Sequence, residues 1–168
     1  MSHDGKSVLI ASTSLCKIFR YWVAGPAKGK LEVLIDDLPG LADNINRASD
    51  GTYWLALVGI RSPAFDLAMR NPGLRLRMVK QVPIDEWLAP GMNHGCVLKF
   101  NESGEVLGSW WDPSGVSHST LTSMREHKGY LYLGGLENNR IGRIRLDGVD
   151  ETWTGYEAYW GDKRRDRG

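Results

Sequence analysis

A turn ending in glycine, followed by an apolar or aromatic strand, occurs three times in this chain, and its spacing constrains the fold more than any other feature. The copies are Ser2-His-Asp-Gly5-Lys-Ser-Val-Leu-Ile-Ala11, Ala48-Ser-Asp-Gly51-Thr-Tyr-Trp-Leu-Ala-Leu57 and Arg125-Glu-His-Lys-Gly129-Tyr-Leu-Tyr-Leu-Gly134. Asp-Gly and Lys-Gly supply the positive φ that a tight hairpin requires, so each copy reads as strand, turn, strand. Gly5 and Gly51 stand about 46 residues apart, and Gly51 and Gly129 about 78. The longer interval contains a stretch between Ile60 and Asn93 where the strand pattern stops and a proline-bounded, helix-like pattern replaces it. A period in the mid-forties built from four short strands is the mark of propeller blades. A chain of 168 residues then holds about three blades. A closed ring needs at least about four, because fewer leave strand edges unpaired. The expected fold class is therefore all-β, a partial β-propeller with a mostly helical insertion. It would be completed by missing N-terminal blades, by another chain, or by self-association through open blade edges.

Composition agrees and removes several function classes. The chain has 20 Gly, 7 Trp and 6 Tyr, as expected of many short strands joined by tight turns. Its 21 basic and 20 acidic residues nearly cancel, so no broad field exists to attract nucleic acid. No run of about 18 apolar residues is present, which excludes a helical membrane span. The polar start, Met1 to Lys6, lacks a signal-peptide core, which slightly favours a cytoplasmic location as an expectation. Two cysteines, Cys16 and Cys96, form neither a disulfide framework nor a metal knuckle.

The chain divides into an incomplete blade over 1–38, a blade over 39–112 carrying the insertion 62–93, a last blade over 113–160, and a tail over 161–168. The first blade has strands at Ser7–Ser12, Lys17–Val23 and Leu31–Asp36, and the strand that should precede them is absent. The second runs through Asp43–Ala48, Tyr53–Val58, Cys96–Asn101 and Glu105–Trp110. The third runs through Thr120–Glu126, Tyr130–Leu133 and Arg140–Leu146, with a weak fourth strand at Trp153–Tyr159. Within the insertion, Ser62-Pro63 and Asn71-Pro72 open helical turns. Leu74–Pro83 alternates well enough to be a strand, but its flanking prolines and Ile84–Leu88 favour helix. The insertion either covers the central channel as a lid or packs on neighbouring blades. Arg70, Arg75, Arg77 and Lys80 offer a third option, contact with a membrane surface.

Asp43-Asn44 carries the sharpest chemical signal. It stands where the second blade's inner strand begins, and a carboxylate beside a side-chain amide offers hard oxygens to Ca²⁺ or a similar ion. The alternative is a pair that merely caps a turn. His118 precedes a channel-lining strand and is a candidate pocket residue, as is His94 after the insertion; both also suit turns. His127 falls in a turn at the far end of its strand. Ser117, Ser119 and Ser123 show no nucleophile elbow. Trp54, Trp110 and Trp111 read as packing between blades, and Cys16 as a buried thiol.

Several of these segments together resemble a known family. Ser7-Val-Leu-Ile-Ala-Ser-Thr13, Ile18-Phe-Arg-Tyr-Trp22, Gly25-Pro-Ala-Lys-Gly-Lys-Leu-Glu-Val-Leu34, Leu38-Pro-Gly-Leu-Ala-Asp-Asn-Ile45, Asp50-Gly-Thr-Tyr-Trp-Leu-Ala56 and Glu126-His-Lys-Gly-Tyr-Leu-Tyr-Leu-Gly134 occur in order. Over nearly the whole chain they look like the C-terminal half of strictosidine synthase-like proteins. Those are six-bladed propellers related to gluconolactonases, regucalcin and paraoxonases. The resemblance implies that Asp43 and Asn44 help hold a channel Ca²⁺, which polarises a lactone or ester carbonyl or a phosphoryl oxygen. It also implies that further ligands, a Glu and Asn residues, lie in earlier blades. Two departures limit the match. Thr122 stands where plant strictosidine synthases carry a catalytic Glu, and a hydroxyl cannot be the acid or base of an iminium cyclisation. Leu57-Val58-Gly59-Ile60 stands where paraoxonases carry a pocket histidine. Two functions follow as expectations: part of a metal-assisted hydrolase of lactones or esters, inactive in isolation, or a non-catalytic propeller module for binding or assembly.

Overall fold

A computed structural model gives the structure of residues 1–83 and 94–155. Among these residues ten strands and two α-helices form, in the order β1 (Ser7–Ser12), β2 (Lys17–Trp22), β3 (Leu31–Ile35), β4 (Gly40–Arg47), β5 (Tyr53–Ile60), α1 (Pro63–Arg70), α2 (Pro72–Gln81), β6 (Gly95–Phe100), β7 (Val106–Asp112), β8 (Leu121–His127), β9 (Tyr130–Gly135) and β10 (Gly142–Arg145). They make three antiparallel sheets, ordered β1-β2-β3, β4-β5-β6-β7 and β10-β9-β8. Each sheet is a meander of sequential neighbours, the construction of a propeller blade. The fold is a partial β-propeller with a helical insertion.

Turn chemistry sets the hairpins. Between β4 and β5, Gly51 adopts φ +82°, and the Asp50 carboxylate accepts from the Thr52 backbone N–H at 3.2 Å and from its hydroxyl. Only glycine takes that backbone cheaply, and an aspartate before it closes the turn locally. A 3-10 turn at Thr13–Leu15 links β1 to β2 and ends on Cys16 in the left-handed region at φ 51°.

β5 occupies the middle of the assembly. Seven of its eight residues are buried, Tyr53 through Val58 and Gly59. A strand buried on both faces must be apolar throughout, and Tyr53-Trp-Leu-Ala-Leu-Val58 meets that demand. Alternate side chains serve different neighbours. Tyr53, Leu55 and Leu57 join a core shared with Leu9, Ile18 and Leu41, whereas Trp54 and Ala56 join one shared with Met124, Leu131 and Leu133. Burying each leucine here contributes about 2 kcal/mol. β4 and β5 both pack on β8, and β1 packs on β4, so β1 meets β4 as β5 meets β8.

Buried polar groups stitch the same boundaries. Between the first two sheets, Arg20 bonds the Glu102 carboxylate at 2.9 Å, and the Tyr53 hydroxyl donates to the same carboxylate. Between the second and third, Glu126 is 1% exposed and accepts from Trp54 Nε1 at 2.8 Å and from the Ser49 backbone N–H at 3.2 Å.

Residues 72–81 are helix, so the proline signals outweigh the alternation of Leu74–Pro83. Ser62 caps α1 by accepting from the Phe65 N–H at 3.2 Å, with Pro63 in the first turn. α1 packs Phe65 onto the core between the first two sheets, and α2 buries no residue. Ile84–Leu88 and the tail over 161–168 lie outside the described residues, as do residues 156–159 of the fourth strand expected at Trp153–Tyr159. Its first residues, Trp153 and Thr154, are not strand. No helix among the described residues is long and apolar enough to cross a membrane.

Candidate functional site

β4 breaks register with β5 where its polar residues occur. Ala42 pairs with Leu57 and Ile45 with Leu55, so Asp43 and Asn44 together stand opposite the single residue Ala56. Such a bulge re-aims side chains and is over-represented beside active sites. β8 carries a second irregularity. Leu121 pairs with Gly135 and Ser123 with Gly134, which leaves Thr122 as the extra residue.

The two irregularities are joined. Asn44 Nδ2 donates to the Thr122 carbonyl at 2.7 Å and to Asp43 Oδ1 at 3.1 Å. Two residues further along, Asn46 Nδ2 donates to the Met124 carbonyl. Asparagines at alternate positions of β4 thus bond carbonyls at alternate positions of β8. The amide orientation that satisfies these bonds leaves Asn44 Oδ1 facing away from Thr122. Asp43 and Asn44 line an open cavity of about 400 Å³ with Leu9, Ala11, Thr13 and Ile45. Burial pushes the Asp43 carboxyl above the ordinary aspartate value.

This corner offers one carboxylate and one amide oxygen, both hard donors suited to a cation such as Ca²⁺. Among the described residues no group of three or more His, Cys, Asp or Glu is placed to hold a metal. The donors fit the ion in kind, and two side chains fall short of the six or so oxygens that it takes.

The structure brings Thr122 to the Asp43–Asn44 pair through its carbonyl and does not bring the two histidines there. His118 lines a different cavity, of about 480 Å³, between the second and third sheets beside Trp110, Leu121, Leu133 and Gly142. Its backbone N–H donates to Asp112 Oδ2 at 2.8 Å, and its Nε2 is buried without a partner. The imidazole packs over Gly142, where a Cβ would stand 2.5 Å from Nε2. His94 lines neither cavity, and its carbonyl accepts from the Thr120 N–H at 3.2 Å.

Two residues with a role at these sites, Asn46 and Asp112, carried no sequence signal strong enough to single them out. Asn46 could have been found by its i, i+2 relation to Asn44 on a strand. Asp112 accepts from Ser114 Oγ and from the backbone N–H groups of Gly115, Ser117 and His118, which lowers its carboxyl to about 2. It thereby shapes the loop that holds His118. Burial raises the Cys96 thiol to about 12, leaving it inert as a nucleophile at neutral pH.

Comparison with known proteins gives a consistent set of relatives. No family model matches the chain. The adipocyte plasma membrane-associated protein of Salmo salar is 33% identical over 150 residues, which is 87% of this chain and 36% of that protein. The protein of the same name from Gallus gallus is 33% identical over 147 residues, 84% of this chain and 35% of its own length. Strictosidine synthase-like 10 of Arabidopsis thaliana is 32% identical over 139 residues, 80% of this chain and 37% of its own length. The chain spans a little over a third of the length of these curated relatives.

Proposed function

We propose, because this chain belongs by homology over most of its length to the strictosidine synthase-like family, that its Asp43–Asn44 corner is one part of the metal site of a hydrolase for lactones or esters. The observation that supports this reading is the pair of joined irregularities at Asp43-Asn44 and Thr122. They hold a carboxylate and an amide at the wall of an open cavity, where a small substrate can approach. A bound divalent cation, Ca²⁺ by the hardness of the donors, would polarise the carbonyl oxygen of the substrate. Asp43 supplies negative charge at that wall. Asn44 is held by the Thr122 carbonyl, so its free oxygen keeps one direction without reorganising when an ion arrives. The remaining oxygens come from other sheets of a complete ring, and the chain by itself does not turn over substrate. Thr122 offers no group of suitable pKa for an iminium cyclisation, so the reaction of strictosidine synthase itself is not part of the proposal.

A second reading rests on the same bond. The Asn44 amide is spent on a backbone carbonyl of the next sheet, as a purely structural clasp would be. Under that reading the chain is a binding or assembly module. Hydrolysis of a chromogenic aryl ester and a lactone separates the two, measured on the ring completed with its other sheets. The hydrolase reading expects Ca²⁺-dependent turnover that falls at least a hundredfold in Asp43→Asn. Turnover unchanged by that substitution, or none in the completed ring, leaves the module.

A further inference from the structure

We propose that the arm formed by α1 and α2 is a peripheral membrane-docking element that recognises anionic phospholipid headgroups. α1 has two unlike faces. Phe65 and Ala68 are buried against the sheets, while Leu67 is 56% exposed and Arg70 is exposed beside it, three residues further on. α2 buries nothing, so packing on the sheets does not explain its apolar residues. Leu76 and Val79 are 56% and 60% exposed and share a face with Lys80, at i, i+3 and i+4. Three aliphatic side chains on this short arm, Leu67, Leu76 and Val79, therefore face solvent.

Charge identifies the occupant. Between Pro63 and Gln81 the cations are Arg70, Arg75, Arg77 and Lys80, and Asp66 is the single acid. Asp66 already bonds Arg61 Nε at 2.6 Å. Arg75 folds back over Met69 and helps to hold the two helices together. Arg70, Arg77 and Lys80 are exposed and have no ion pair among the described residues. The next acids in sequence, Asp85 and Glu86, lie outside the described residues. In a chain that is near neutral as a whole, this arm therefore concentrates four cations against one acid and also exposes Leu67, Leu76 and Val79. Cations beside exposed aliphatic side chains suit a membrane interface, where the apolar residues would enter below the headgroups and the cations would lie among them.

The test is co-sedimentation of the full chain with phosphatidylcholine vesicles, with and without phosphatidylserine. Binding is expected only with phosphatidylserine, and it should weaken as salt rises. Each cation near an anionic surface strengthens partitioning roughly fivefold, so Arg70→Glu/Arg77→Glu/Lys80→Glu should reduce it more than a hundredfold. Leu76→Ser/Val79→Ser should weaken binding at least tenfold while leaving the circular dichroism spectrum unchanged. Equal binding to neutral vesicles, no binding, or binding that survives the charge reversal overturns the proposal. Capture by an acidic polypeptide such as polyglutamate without any binding to vesicles also overturns it.

Discussion

Asparagines and acids placed between sheets decide most of what this chain can do at the level of single residues. Glu126 is the clearest structural case, since Trp54 Nε1 and the Ser49 N–H both depend on it. Glu126→Ala strands two buried donors and should cost about 2–4 kcal/mol in denaturant unfolding, whereas Glu126→Gln keeps an acceptor and should cost less. Asp43 behaves in the opposite sense. Its folded pKa is raised, so the native state holds the proton more tightly than the unfolded chain does. The ionised carboxylate therefore costs stability above the folded pKa, and that cost vanishes as pH falls below the unfolded value near about 3.9. Asp43→Asn should raise the melting temperature at neutral pH and leave it unchanged in acid. The sequence singles out Asp43 and Asn44 as unlike polar neighbours where the inner strand is expected to begin, whereas β4 starts three residues earlier, at Gly40. The sequence could not place His118 in the other cavity, because the Asp112 carboxylate that turns its loop acts through backbone N–H groups.

Strands were legible because turn residues and burial point the same way. Asp50-Gly51 closes the β4–β5 hairpin, and the unbroken apolar run Tyr53–Val58 announces a strand covered on both faces. The insertion was harder, since Leu74–Pro83 carries a two-residue alternation inside a helix. Prolines at the first turns of both helices decided it, by fixing φ where no N–H is needed. The irregularities at Asp43-Asn44 and Thr122 were not legible, because a register shift belongs to the pairing of two strands and not to either strand alone. The two helices differ in what they contribute to the body. Phe65→Ala empties a site in the shared core and should cost about 3 kcal/mol. Leu76→Asn on the exposed face of α2 should change stability by less than about 0.5 kcal/mol. Thermal unfolding of the two variants checks this difference.

At the scale of the molecule, three sheets stand side by side and share two cores, with β5 between them. The period of the glycine turns made this arrangement legible, while the contacts between sheets had to be seen. Among the described residues β3, β7 and β10 each end a sheet without a further partner strand, and Leu31 and Val33 on β3 are 57% and 47% exposed. Open edges pair with other strands. Light scattering across a concentration series should therefore report a mass above that of one chain; a clean monomer throughout would contradict this. The central claim is that Asp43 and Asn44 form only part of a metal site, whose other ligands lie beyond this chain. Calorimetric titration with Ca²⁺, run at a concentration where light scattering shows monomer, tests it most directly. The expected result is no stoichiometric binding tighter than about 1 mM, as befits two side-chain donors. One-to-one binding in the micromolar range by the monomer would contradict the claim.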